Sequence, residues 1–212
     1  MVDKLEALVN RLEAAVGLVP GAAPTKSSSA PTSGMGGAWT AATGDACNKL
    51  KAACATLGQA VITQQCDLFI EMVSQQPAYF ATMSGFAKPA DLSFMGTHFS
   101  GAEEAVAKLE KDRKLPRPMF DHAKVVLDAM LLFNWWTFTE GEDAHDNILS
   151  NYEGIFFAGN KVLKKNVANE VAWFNALKNV CEAIYNFLKA REGNIWMWSG
   201  KETGGAAEFF AA

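Results

Sequence analysis

From Trp39 to Arg191 the chain carries apolar residues three and four apart, with almost no two-residue alternation. That period places side chains on one face of a helix and is incompatible with half-buried strands. Glycine and proline cut the pattern into six pieces. They fall at about 39–56, 59–84, 90–113, 119–137, 146–166 and 168–191, with breaks at Leu57-Gly58, Gly85 to Pro89, the KLPRP segment, the polar stretch TEGEDAHDN and the short Asn166–Asn169 turn. Representative core positions are Leu68, Phe69, Met72, Phe80 and Met83 in the second piece, and Phe120, Val125, Leu127, Leu131 and Trp135 in the fourth. The fifth carries Ile148, Tyr152, Ile155, Phe156 and Leu163, and the sixth Val171, Trp173, Phe174, Leu177 and Ile184. Short connections between helices favour antiparallel neighbours, so the expected fold is an all-α, antiparallel six-helix bundle over residues 38–200. Its aromatics, Phe133, Trp135, Trp136, Phe156, Phe157 and Trp173, are expected to fill the core. The segment GNIWMWSGKETGG reads as an extended stretch able to lay Trp196 or Trp198 back on the bundle, and 201–212 as a flexible tail.

Ahead of the bundle lies a separate pattern. Leu5, Leu8, Leu12, Ala15 and Val19 alternate three and four apart, a heptad-like seam flanked by Lys4, Glu6, Arg11 and Glu13. A helix this short is marginal alone and gains stability from partners. Residues 1–17 are therefore expected to form an oligomerisation helix, with Leu5, Leu8, Leu12 and Ala15 in the seam. Residues 18–37, almost entirely Gly, Ala, Pro, Ser and Thr, are expected to form a flexible linker.

The chemistry-bearing residues form no catalytic pattern. There is no glycine-rich phosphate loop and no G-x-S-x-G. The three histidines lack H-E-x-x-H spacing, and Cys47, Cys54, Cys66 and Cys181 include no C-x-x-C pair. They read as reduced, buried thiols. Glu140, Glu142, Asp143 and Asp146 gather around His145, which reads as a solvated loop rather than a metal site. No metal, cofactor or catalytic residue is expected. A net charge of −4 argues against a nucleic-acid partner. The longest apolar run, AMLLFNWWTF, is about half the roughly 20 residues of a membrane span, so no membrane insertion is expected. What stands out is a pair of charged clusters at helix ends, EKDRK from Glu110 and NKVLKK from Asn160. Cations there complement the helix dipole, and they also suit a protein-contact surface.

Several short motifs, in this order, resemble the N-terminal half of cyclase-associated protein. They are NRLEAAV (Asn10 to Val16), EKDR (Glu110 to Arg113), FDH (Phe120 to His122) with Trp135 fifteen residues later, NKVLK (Asn160 to Lys164), Trp173, and Trp198-Ser199. The chain departs from the family pattern at TEGEDAHDNILSNYEG, and Lys161 stands where the family has arginine. The resemblance implies a non-enzymatic, cytoplasmic, cytoskeleton-associated regulator that binds actin and, with cofilin, promotes disassembly at filament pointed ends. It implies homo-oligomers through the N-terminal helix and, in some organisms, binding to adenylyl cyclase. The matched motifs nominate Glu110, Lys111, Asp112, Arg113, Asn160, Lys161 and Lys164 as the partner-binding residues. Two other readings of the residues stand beside this one. The first is a signalling adaptor working through residues 3–16; the second is a carrier of a lipid or small apolar ligand, with a pocket lined by Trp135, Trp136 and Trp173.

Overall fold

The structure is a computed structural model. It describes residues 34–91, 103–108, 115–137 and 141–191, together with 198 and 200. Among these the helices are α1 (Met35–Leu57), α2 (Ala60–Gly85), α3 (103–108), α4 (Phe120–Met130), α5 (Gly141–Lys164) and α6 (Ala168–Lys189). Two 3-10 segments flank α4, at Arg117–Met119 and Leu131–Thr137. Among the described residues there is no strand, only an isolated bridge at Phe86, and the all-α expectation holds.

The helices close on themselves. α1 packs against both α2 and α6, and α4 and α5 complete the circuit between them. Trp39 near the start of α1 meets Phe80 late in α2 and Phe187 late in α6, edge-on at 5.6 and 5.0 Å. Trp173 early in α6 instead lies beside Cys54 and Cys66, at the α1–α2 turn, and against His122 early in α4. α1 therefore runs antiparallel to both α2 and α6. The core is one cluster in which Trp39, Phe69, Phe133, Trp135, Trp173 and Phe174 are among the largest buried side chains.

Local chemistry explains several element boundaries. Pro77 lies inside α2 and has no N–H to give to the carbonyl of Val73. That carbonyl accepts the indole N–H of Trp39 instead, at 2.8 Å, so the helix defect becomes a cross-helix hydrogen bond. Gly58, with φ 67°, ends α1 in the left-handed conformation and donates its N–H to Cys54 O. Asn166, at φ 52°, makes the sharp turn between α5 and α6.

The structure corrects the expected limits in five places. α1 begins at Met35, so the last three residues of the expected linker are helical. Gly36 packs there directly on Pro77, where a Cβ would lie 3.0 Å from the proline ring, and tertiary contact overrides the poor helix propensity of glycine. Ala90 and Asp91 are not helical, and in the third expected helix only 103–108 fall both within the described residues and in a helix. The fourth helix tightens to 3-10 geometry after Met130. Asn151 Nδ2 takes the Leu131 carbonyl at 2.9 Å, and the three-residue period brings Leu132 and Trp135 to the same buried side. α5 starts five residues early, at Gly141, through what reads as a polar loop, and ends at Lys164 rather than 166; α6 ends at Lys189.

Two expected core aromatics are outside it. Phe157 is 79% exposed and Phe120 51%. The buried stripe of α5 runs Ile148, Ile155 and Val162, seven residues apart, and Phe157 is two positions round from it. Phe156 is only half-buried; Phe133, Trp135 and Trp173 are buried as expected, while the Trp136 side chain lies outside the described residues. All four cysteines are free and buried. Trp198 packs against the core, as proposed for one of the two terminal tryptophans, and Gly200 donates its N–H to Phe86 O at 3.1 Å.

Candidate functional site

The turn between α5 and α6 is built by the two motifs that stand far apart in sequence, FDH and NKVLKK. Lys165 reaches across to α4, donating from Nζ to the Pro118 carbonyl at 2.5 Å and pairing with Asp121 at 3.4 Å. Next to Asp121, His122 is 0% exposed. Its ring lies 5.0 Å from that of Trp173, and Nε2 is 3.2 Å from a Glu170 carboxylate oxygen, off-line for a hydrogen bond. Burial pulls His122 down from its ordinary 6.5 to about 4, and the Lys165 ammonium adds to the effect. At neutral pH the ring is uncharged and shielded from solvent. It braces α4 against α6 and cannot reach a substrate.

That bracing fixes the C-terminal half of α5, whose outer face carries Glu153, Phe157, Asn160, Lys161 and Lys164, all exposed. Positions 153, 157, 160, 161 and 164 are three and four apart, so they form one strip. Its inner side is held close to α6: Gly159 faces Phe174 so tightly that a Cβ would fall 2.0 Å from two ring atoms. The strip combines an exposed aromatic with two free-standing lysines in the last turn. Such a combination suits a protein partner with an acidic, partly apolar surface.

Of the nominated residues, Asn160, Lys161 and Lys164 are thus brought together on one exposed strip. Glu110, Lys111, Asp112 and Arg113 lie outside the described residues, as do Leu5, Leu8, Leu12 and Ala15. The sequence reading missed Phe157 as a surface residue. The signal was available in its offset from the Ile148–Ile155–Val162 row. It also missed the Asp121–Lys165 pair, which no local spacing announces.

His145 Nδ1 is 3.7 Å from Asp146, and its ring lies 6.3 Å from that of Tyr185. Glu140 and the side chains of Glu142 and Asp143 lie outside the described residues. Among the described residues no group of three His, Cys, Asp or Glu side chains could hold a metal ion, and no helix is long and apolar enough to cross a membrane. Trp135 and Trp173 are both 0% exposed and in ring contact with neighbours, so they sit in packed surroundings.

A ring of α-helices with a braced turn and an exposed strip of mixed character defines an all-helical bundle. The particular fold is that of the N-terminal domain of the adenylyl cyclase-associated protein from Dictyostelium discoideum. That structure aligns with 80% of this chain and 99% of its own, at a TM-score of 0.67 and 13% sequence identity. No family model matches the sequence, and no curated protein matches it significantly.

Proposed function

We propose that this protein is a cyclase-associated-protein-like regulator of cytoskeletal turnover. In this reading it binds actin and, together with cofilin, promotes filament disassembly at pointed ends. It oligomerises through residues 3–16 and works in the cytoplasm. The likeness of the whole bundle to the Dictyostelium domain supports the class. The observation that carries the site is the α5 strip. It gathers three residues of the NKVLK motif, Asn160, Lys161 and Lys164, beside an aromatic that nothing in the core requires to be there.

Pyrene-actin disassembly in the presence of cofilin tests it, comparing the intact chain with F157A/K161E/K164E. Every position changed is exposed, so the bundle should fold unaltered. Acceleration by the intact chain, lost in the variant, is the expected result. Acceleration by both moves the contact elsewhere on the bundle. Acceleration by neither, with helicity verified, refutes the actin reading and leaves adenylyl cyclase as the partner to test against residues 3–16.

A further inference from the structure

A pair of tyrosine rings bridges α5 and α6, away from the turn that joins the two helices. Tyr152 stands in the middle of α5 and Tyr185 late in α6. Their rings face one another, with centroids 4.7 Å apart and planes 7° from parallel. Phe156 also meets Tyr152 at 4.7 Å, but edge-on, at 75°. Both tyrosines are half-buried. Among the described residues no hydrogen bond holds either hydroxyl, and neither hydroxyl is sealed from solvent. The chain's third tyrosine, Tyr79, is only 4% exposed and donates its hydroxyl hydrogen to Gln75 at 2.6 Å.

We propose that Tyr152 and Tyr185 are a modification site, at which a diffusible one-electron oxidant joins the two rings through a carbon–carbon bond and staples α5 to α6.

Ring geometry carries this first. A tyrosyl radical holds much of its unpaired spin on the ring carbons beside the phenol oxygen, in p orbitals perpendicular to the ring. Near-parallel rings in contact aim those orbitals at one another, so the first bond needs only a small slide of one ring over its neighbour. The edge-on Tyr152–Phe156 pair lacks that overlap, and Phe156 has no phenol to oxidise. Offset stacking is favourable in itself, so the two rings stay within reach of each other while the radicals live. Exposure is the second support. Each hydroxyl can release its proton to water as the electron leaves. The Lys189 ammonium, 5.5 Å from the centre of the Tyr185 ring, disfavours a positively charged ring there and so favours loss of proton and electron together. Solvent on the outer side also gives both rings room to swing as the stacked adduct opens into a biaryl. Position is the third. The Asn166 turn already ties α5 to α6 at one end. A bond between Tyr152 and Tyr185 ties them a second time, farther along the pair, and restricts the unfolded chain.

The step balances with two equivalents of oxidant. Each phenol gives one electron to the oxidant and its proton to water. The two radicals then form one C–C bond between ring carbons beside the oxygens. Each bonded carbon passes its hydrogen, through water, to its own ring oxygen, which restores two aromatic phenols. The chain has lost two electrons and two hydrogens.

The test uses the full native chain at low concentration. Light-generated ruthenium(III) tris-bipyridine is the oxidant, with persulfate as electron sink, and N-acetyltyrosine in a parallel tube confirms that oxidant is delivered. The expected product runs as a single chain on a denaturing gel, has lost two hydrogens and shows dityrosine fluorescence. After trypsin, peptides 125–161 and 179–189 should appear joined, and dithiothreitol should not part them. The same treatment in urea should give that link in several-fold lower yield. Y152F and Y185F keep both rings and remove one phenol, and each should abolish the link; Y79F should leave it. The proposal is overturned if native protein forms no dityrosine while N-acetyltyrosine does, or if the bond joins separate chains or involves Tyr79. An equal yield of the Tyr152–Tyr185 link in urea overturns it too, because the stack would then play no part. The decisive readouts are on unmutated protein, so they stand even where a variant folds poorly.

Discussion

Two glycines five residues apart on α5 should respond in opposite directions to the same substitution. A Cβ at Gly154 meets nothing within 4 Å, whereas one at Gly159 would lie 2.0 Å from two atoms of the Phe174 ring and 2.9 Å from a third. In a helix interior, alanine is better than glycine by about 1 kcal/mol, because the glycine backbone loses more freedom on folding. Gly154→Ala should realise most of that, stabilising the protein by about 0.5–1 kcal/mol. Gly159→Ala gains the same term but must push Phe174 away by roughly an ångström or more to reach ordinary van der Waals separation. Phe174 is buried at 1% exposure, with no open side to retreat into. Overpacking of this kind costs about 1–3 kcal/mol, and a rigid ring inside a packed layer belongs at the upper end. The net expectation is destabilisation by about 2 kcal/mol. Urea unfolding followed by circular dichroism measures both. Equal m-values with midpoints displaced to either side of the parent would agree with the packing described. A Gly159→Ala midpoint at or above the parent would show that α5 and α6 are not in this register, and the α5 strip would lose its fixed frame.

Other consequences follow from the same geometry. The unfolded chain binds a proton at His122 near pH 6.5, and the folded chain only near 4, so His122 adds stability that is complete above 6.5. That stability drains away as pH falls toward 4, by up to about 3 kcal/mol. An H122N variant should show a flatter stability profile between those values, and an unchanged slope would place the ring elsewhere. Lys165→Met removes a repulsive neighbour of His122, so the histidine should titrate at higher pH by NMR, with a stability cost of about 1 kcal/mol from the lost Pro118 bond. Trp39→Phe leaves the Val73 carbonyl with neither a helix N–H nor an indole, and should cost about 1–3 kcal/mol beyond the size change. Deleting residues 1–20 should leave the helical signal of the bundle intact while lowering the sedimenting mass; an unchanged mass would end the proposal that these residues join chains.

Sequence periodicity was sufficient for α1, α2, α5 and α6 because each is more than 20 residues long and presents a continuous apolar row. It failed where the fold is decided by contacts distant in the chain. Met35 to Gly37 look like linker until Pro77 is seen to receive Gly36. Gly141 to Asn147 look like loop because their residues are polar, yet acidic positions suit the first turn of a helix, where the dipole is positive. Phe120 and Phe157 were assigned inward on hydrophobicity alone, although the phase of their helices turns them outward. In the candidate site, the Asn160–Lys161–Lys164 grouping is legible because it follows helix spacing. The Asp121–Lys165 pair and the His122–Glu170–Trp173 brace are not, since they join residues some 40 to 50 positions apart.

Where the chain enters and leaves the bundle has a practical consequence. Gly36 rests on Pro77, and Gly200 lies so close to Gly85 that only a hydrogen fits, with the start of α1 also beside the end of α6. Entry and exit therefore share one pole of the molecule. The α5–α6 turn, with Lys164 and Lys165, stands at the other, beside Pro118 and the α1–α2 turn. A leash, label or surface attachment at either terminus pulls on the same pole and leaves the lysine-bearing one pointing outward. Copies gathered by their leading segments would radiate like spokes, each presenting the same tip.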